Sequence, residues 1–505
     1  MTLHRRGFLA GMTMLPAAAH AANLRGPDLE GSVAELGIWD LATALRRGEL
    51  SAERHVSVLL DRIQRASGLN AFISVYGIEA LEAARRVDQA RHRGVRLPPL
   101  AGVPVVVKDN IDLAGQVTTA GTPALRNSRP NDTAPVLQAL FSGRMILLGK
   151  TNMQELALGI TSQNVAYGFV HNPYDTSRVP GGSSGGTGAA VAARLAPGGL
   201  GTDTGGSVRV PAAFCGIAGL RPSVGNGGAD RRYTASGVAP ISPTRDTPGP
   251  MARSVKDVAL LDATITGGQL PRRASLAGVR LGVPRAGFWE NLDAEVERVC
   301  TEALRRLREA GVILVEADLG DVFTLDQQAG FPIALYEIGQ AFPAYLRQIS
   351  SDITYEQVVA QAAGPDVKAI LAAAATVQQD AYLTALNIDR PRLQAAYASY
   401  FSAQGVDGVI FPTTPVPAPP IDPTFSGEID VNGVPQTAGE FNTVIRNTDP
   451  GSVAGIPGIT LPAGLTSGGL PVGLAIDGPV RSDARLLAIG MAIEEVLGRL
   501  PAPLV

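Results

Sequence analysis

Two serines that each follow a glycine pair, and one lysine that closes an apolar run, are the residues whose types and spacing suit nucleophilic chemistry. Gly181-Gly182-Ser183-Ser184-Gly185-Gly186 sets two hydroxyls between glycine pairs. Twenty-four residues after Ser183, Gly205-Gly206-Ser207 repeats the arrangement within Gly201-Thr202-Asp203-Thr204-Gly205-Gly206-Ser207-Val208-Arg209. Backbone N–H groups in such turns can converge on one spot and hold a developing oxyanion, at about 3 kcal/mol per donor. Lys108 follows Val103 to Val107, and only four of the 43 basic residues are lysines. A lysine buried at a strand end loses the solvation of its charge, and the neutral amine is a base. One Gly-Ser turn is an ordinary linker. Its recurrence beside a strand-end lysine points to a site.

Three other chemistries fail on specific positions. Gly182-x-Ser184-x-Gly186 fits the nucleophile elbow of α/β-hydrolases, but that fold needs an acid and then a histidine later in the chain. No histidine follows His171. A metallohydrolase needs grouped ligands, whereas His55, His92 and His171 stand apart from one another. Gly149-Lys150-Thr151 resembles the tail of a phosphate-binding loop, yet the required upstream glycine is Arg144. Lys150 is therefore read as structural, and neither a metal nor a cofactor is expected. A histidine-independent serine hydrolase with a lysine base remains.

The elements that would position these groups can be read from periodicity. Val33 to Ala66 predicts two helices, the first with Trp39, Leu41 and Leu45 on one face, the second capped by Ser51 and carrying Val56, Leu59, Leu60 and Ile63. Val103–Val107 and Met145–Leu148 predict buried strands, each followed by a loop, at Lys108-Asp109-Asn110 and Gly149-Lys150-Thr151. Thr187 to Arg194 reads as a helix. Residues 284–316 predict a helix with Val296, Val299, Cys300, Ala303, Leu304 and Leu307 on one stripe, stopped by Gly311 before the strand Val312–Val315. Residues 325–400 read as mostly helical, and 405–480 as short apolar runs broken by Pro and Gly. Interleaved strands and helices predict an α/β fold with a mixed sheet covered on both faces.

Composition narrows the partners. At 505 residues, 45% hydrophobic and 18% charged, the chain can bury a large core. A net charge of −3 argues against nucleic acid. Cys215 and Cys300 read as buried free thiols. Residues 1–21 read as an export signal: Arg5-Arg6, an apolar stretch from Phe8 to Ala19, then Ala19-His20-Ala21. The arginine pair before Gly7-Phe8-Leu9 resembles a twin-arginine signal and predicts a periplasmic destination. The apolar stretch contains Pro16 and falls short of the ~20 residues that span a bilayer, so no stable membrane insertion is expected.

At the two glycine-serine segments and the strand-end lysine, the sequence resembles the amidase signature family. That resemblance implies roles residue by residue: Ser207 as nucleophile, Ser183 as a bridging serine beside a cis peptide bond, and Lys108 as base. It implies an oxyanion hole at the N–H groups of Thr204, Gly205, Gly206 and Ser207, a supporting ion pair between Asp203 and Arg209, and a supporting hydroxyl at Ser184. The likeness runs from about residue 35 to Val505, including Gly455-Ile456-Pro457-Gly458-Ile459-Thr460-Leu461-Pro462. It implies one amidase domain over 22–505, with a single large mixed β-sheet sandwiched between helices. Phe288-Trp289-Glu290-Asn291-Leu292-Asp293, Ala334-Leu335-Tyr336-Glu337 and Ile445-Arg446-Asn447-Thr448-Asp449 resemble their counterparts in indoleacetamide and mandelamide hydrolases. The implied substrate is a small arylalkyl primary amide, with peptide amidase and aryl acylamidase activities as alternatives. The contrasting class, a periplasmic binding protein without catalysis, is disfavoured because Lys108, Ser183 and Ser207 are all present. Oligomeric state stays open between monomer and homodimer.

Overall fold

Residues 33–504 are described by a computed structural model, so the expected export signal lies outside the described residues. The first helices form where the sequence supplies stops and caps. Ile38–Arg47 ends at Gly48, whose φ of 72° suits glycine. Ala52–Arg65 begins at Ser51, whose hydroxyl oxygen accepts the Arg54 N–H. Leu41, Leu45, Val56, Leu59 and Ile63 are buried as expected. Trp39 is not: it is 37% exposed, with the Lys256 ammonium 3.7 Å from its ring centroid. The buried stripe runs through Ile38, Leu41, Ala42 and Leu45, an i, i+3, i+4, i+7 spacing that leaves position 39 on its flank.

The centre of the molecule is an eleven-stranded mixed sheet. In chain order its strands are β1 (Phe72–Val75), β2 (Pro104–Lys108), β3 (Ile146–Thr151), β4 (Gly198–Asp203), β5 (Ala218–Arg221) and β6 (Thr247–Ala252). They continue with β7 (Arg280–Val283), β8 (Ile313–Glu316), β9 (Gly408–Pro412), β10 (Gly458–Leu465) and β11 (Pro471–Asp477). The spatial order is β1-β3-β2-β4-β6-β5-β10-β11-β9-β7-β8. Parallel pairing joins β3, β2 and β4 on one side and β9, β7 and β8 on the other, with antiparallel pairs between and at β1. Every residue of β2 through β6 is buried. Successive strand side chains point to opposite faces, so both faces of this part of the sheet are covered.

Two boundaries differ from expectation. Gly149-Lys150-Thr151 is strand, not loop, because β3 is paired on both sides: Val107 opposes Lys150 and Lys108 opposes Thr151 in β2, while Val75 opposes Gly149 in β1. The helix expected at Thr187–Arg194 runs Gly185–Ala192. Its two leading glycines are required by close approach. A Cβ on Gly186 would lie 2.3 Å from the Asn152 carbonyl oxygen and 2.6 Å from that of Ala71. The amphipathic helix Ala294–Glu309 buries the six residues of its expected stripe, and Gly311, at φ 97°, turns the chain into β8. Val322–Gln348 is one long helix containing Pro332 and Pro343. Cys215 and Cys300 are buried free thiols.

In an open helix Gly→Ala stabilises by about 1 kcal/mol. For Gly186→Ala the sign should reverse, since the new methyl meets backbone on two sides, and a loss of about 1–3 kcal/mol is expected. Urea denaturation of the two proteins checks it; an unchanged or raised midpoint would contradict the packing.

Candidate active site

Parallel pairing of β2 with β4, Val107 opposite Leu200, sets the ends of these strands side by side. Lys108 ends β2, and its Nζ lies 2.6 Å from Ser183 Oγ and 2.8 Å from Thr202 Oγ1. Asn110 Nδ2 donates to the same threonine oxygen at 3.0 Å. Lys108 and Ser183 are both fully buried. Burial brings the Lys108 amine down from 10.5 to about 7, against the opposing pull of the Asp203 and Asp246 carboxylates. Its immediate partners are hydroxyls, which stabilise an ammonium far less than a carboxylate at hydrogen-bonding distance would.

Ser183 stands where the glycine loop turns into the helix Gly185–Ala192, and the Gly182–Ser183 peptide bond is cis. Gly181 has φ 83°, and a Cβ on Gly182 would meet the backbone of Ile160 and Thr161 at 2.7–2.9 Å. Ser184 exchanges hydrogen bonds with the Thr202 backbone: its hydroxyl donates to Thr202 O and its oxygen accepts the Thr202 N–H, each at 3.2 Å. The Ser184 N–H donates to Ser207 O at 3.2 Å, linking the two glycine-serine segments directly.

The Thr204–Ser207 turn is held by a buried carboxylate. Asp203 accepts the N–H groups of Gly206 and Val208 at 2.9 and 3.1 Å and both Nε and Nη2 of Arg209 at 3.2 Å. Arg221 Nη1 adds a third side, 3.1 Å from Asp203 Oδ1. Burial pushes the Asp203 carboxyl up, but the Arg209 and Arg221 guanidiniums outweigh it and hold it well below the ordinary carboxylate range. The Gly206 N–H, one of the four donors that the resemblance implies for an oxyanion hole, donates to Asp203 Oδ1 at 2.9 Å.

Several supports were not legible in the sequence. Arg221 sits at the end of β5, far from either motif in sequence, and no local signal marks it. Thr204 Oγ1 donates to Asp246 Oδ1 at 2.5 Å. Arg245 Nε donates to Thr204 O at 3.1 Å while Nη2 bonds Asp449. Thr448 Oγ1 donates to Gly205 O at 2.8 Å, so the segment 445–449 braces the turn from another side. Lys150 meets the Asp109 carboxylate at 2.9 Å and Thr118 Oγ1 at 2.7 Å, consistent with a structural role.

Ser207, 8% exposed, reaches a cavity that is partly open to solvent. Its walls are mainly apolar, with Ile160, Ile241, Phe331, Leu335, Ile338 and Phe441 prominent. The polar lining is Thr204, Ser207, Arg245 and Asp449. Of the three segments likened to arylalkylamide hydrolases, two contribute, through Ala334-Leu335 and through Ile445 and Asp449. The third does not: Phe288 and Trp289 are buried in the main core, where Asn447 Nδ2 donates to Phe288 O at 2.9 Å. Glu337 faces away into a polar cluster with Ser242 and Thr244.

A match to the Amidase family spans residues 54–487. The chain is 40% identical to a mandelamide hydrolase from Pseudomonas putida over 487 residues, covering 93% of each protein. It is 41% identical to an indoleacetamide hydrolase from Rhizobium radiobacter over 460 residues, 90% of this chain and 95% of that protein. Among solved structures, a native peptide amidase from Stenotrophomonas maltophilia superposes with a TM-score of 0.80 at 30% identity, covering 93% of this chain and 98% of that one.

Removing the carboxylate charge should test how the turn is held. Asp203→Asn leaves Arg209 and Arg221 buried, with Asp477, 3.7 Å from Arg209 Nη1, as the remaining ion-pair carboxylate among the described residues. A loss of about 3–5 kcal/mol in chemical denaturation is expected. A loss below about 1 kcal/mol would show that the two guanidiniums are compensated elsewhere.

Proposed function

Because the chain belongs to the amidase family and is an amide hydrolase, we propose that it cleaves the carboxamide C–N bond through an acyl-enzyme on Ser207, with Ser183 as proton relay and Lys108 as base. The observation that carries this reading is the fully buried Lys108 amine, 2.6 Å from Ser183 Oγ and not facing a carboxylate. Ser207 Oγ attacks the carbonyl carbon while its proton passes to Ser183 Oγ, and the Ser183 proton passes to the neutral Lys108 amine. The tetrahedral oxyanion is held by the N–H groups of Thr204, Gly205 and Ser207. Collapse breaks the C–N bond as a proton returns from Lys108 through Ser183 to the departing nitrogen. Water then repeats the sequence on the acyl-enzyme, releasing the acid and restoring Ser207.

The substrate favoured is a small arylalkyl primary amide, giving the acid and ammonia. A mainly apolar cavity suits an aromatic acyl group, with the few polar groups beside Ser207 left to orient the amide. Its similarity to mandelamide and indoleacetamide hydrolases supports the same class. One observation favours peptide amides as a second reading: a further cavity shares Ile160, Phe331, Ile370 and Phe441 with the first and gives room for a longer acyl chain. Export through Arg5-Arg6 to the periplasm is proposed alongside, and replacing both with lysine should retain a tagged precursor in the cytoplasm.

Ammonia release from phenylacetamide, indoleacetamide and mandelamide should exceed that from peptide amides by at least about tenfold in kcat/KM, a difference of about 1.4 kcal/mol. The reverse order would establish the second reading. Ser207→Ala should abolish turnover with the fold intact.

The base has its own signature. With the Lys108 amine at about 7, kcat/KM should rise through neutrality as the amine loses its proton, and level off in mild alkali. Lys108→Arg keeps the charge and removes the base, since guanidinium stays protonated, so a loss of about 10²–10⁴-fold is expected. Near-normal turnover by folded Lys108→Arg would exclude Lys108 as the base.

A further inference from the structure

Apart from the catalytic cavity, a polar cavity is lined by Gly225, Asn226, Arg231, Thr244, Leu386 and Arg390, among others. Two guanidiniums meet there. Arg390 is 5% exposed and donates from Nε to Val453 O at 2.9 Å, from Nη1 to Asn226 Oδ1 at 2.8 Å and from Nη2 to Gly225 O at 2.5 Å. Arg231 donates from Nη1 to Asp246 O and from Nη2 to Pro243 O, both at 2.6 Å. All five acceptors are neutral carbonyl or amide oxygens. Among the described residues, neither arginine has a carboxylate oxygen within 4.0 Å.

The nearby carboxylates are bonded to groups beside the arginines, the Asp230 carboxylate accepting the Asn226 N–H at 3.4 Å, and none of them bonds either guanidinium. Glu337 accepts from Ser242 Oγ and from the N–H and hydroxyl of Thr244. Asp246 accepts from Thr204 Oγ1 and the N–H groups of Ile241 and Ser242. Asp230 is paired with Arg481 at 3.0 Å. These groups reach the two arginines only through space, while the arginines repel each other across the cavity. A guanidinium carries five N–H donors. Arg390 commits three and Arg231 two to the bonds just described, so each keeps donors beyond those bonds. Asn226 Oδ1 accepts from Arg390 and from Gln394 Nε2 at 3.0 Å, which leaves the Asn226 Nδ2 as a further donor.

A cavity walled by two cations without direct counter-ions has the chemistry that recognises a compact oxyanion through charge-assisted hydrogen bonds. We propose that it is a binding site for a small oxyanion, either inorganic phosphate or a small carboxylate. The inference does not depend on the substrate or on the proton path assigned above. Arg231 is bonded to the Asp246 carbonyl, and the Asp246 carboxylate takes the Thr204 hydroxyl, so this site and the oxyanion turn share one short segment.

The experiment is thermal denaturation of the full chain at matched ionic strength in chloride, phosphate and acetate. A saturable rise in Tm of roughly 1–2 °C over chloride is expected from phosphate or acetate, and which of the two produces it identifies the ligand. Asn226→Asp is nearly isosteric, keeps the acceptor for Arg390 and Gln394, and supplies the missing negative charge. It should raise Tm in chloride and abolish the anion response, a direction opposite to that of most substitutions. Arg231→Gln should lose at least half of the response while remaining folded in chloride. No rise over chloride in the wild type, or an undiminished rise in Asn226→Asp, would overturn the site.

Discussion

A single buried carboxylate, Asp203, sets the geometry on which the rest of the site depends. It ends β4, accepts the N–H groups of Gly206 and Val208, and is flanked by Arg209 and Arg221. A buried ion cluster of this kind gains little net stability over apolar packing, because desolvation offsets most of the attraction. What it supplies is direction. With its oxygens committed to four donor groups, the carboxylate allows the following turn one path, and Ser207 leaves that turn toward the cavity. Arg209 extends the constraint outward through Thr448 O at 3.0 Å and Ser452 Oγ at 2.5 Å, tying the turn to the segment that also supplies Asp449 to the cavity wall.

The two buried lysines differ in the chemistry of their partners. Lys108 and Lys150 stand on adjacent strands, both fully buried. Lys150 faces a carboxylate, and a buried ammonium so paired is a structural element. Lys108 faces hydroxyls, with the Asp203 and Asp246 carboxylates acting at longer range. Burial therefore dominates for Lys108 and favours the uncharged amine, the form that can accept a proton. The same low-polarity surroundings that lower its basicity also strengthen the hydrogen bonds through which a proton would move.

Glycine is what permits the close assembly. A Cβ on Gly201 would lie 2.6 Å from Ser184 Oγ, so β4 and the start of the helix Gly185–Ala192 meet at a distance no other residue allows. Backbone contact at this point brings Ser183 beside Lys108 without any long side chain having to reach. The apolar cavity beyond is assembled from parts of the chain far apart in sequence, the region around Ile160, the long helix Val322–Gln348 and the segment around Phe441.

By itself the sequence determined the elements whose signals are local. Ser51 capped a helix, the Val296–Leu307 stripe was buried, and the two glycine-serine segments and the strand-end lysine came together in one place. Hydroxyls between glycines, and a lysine after β-branched residues, carry their meaning within a few positions. Only the tertiary structure decided what depends on residues distant in the chain. Arg221 joined Asp203 through strand order, the Gly206 N–H met that carboxylate, and Gly149–Thr151 became strand because β1 and β2 pair with it on both sides. The cavity wall was likewise divided among segments, so Ala334-Leu335 entered it while Phe288-Trp289 went to the core. Local periodicity records which face of an element is apolar; which neighbour covers that face is set by strand order and packing, where no sequence window reaches.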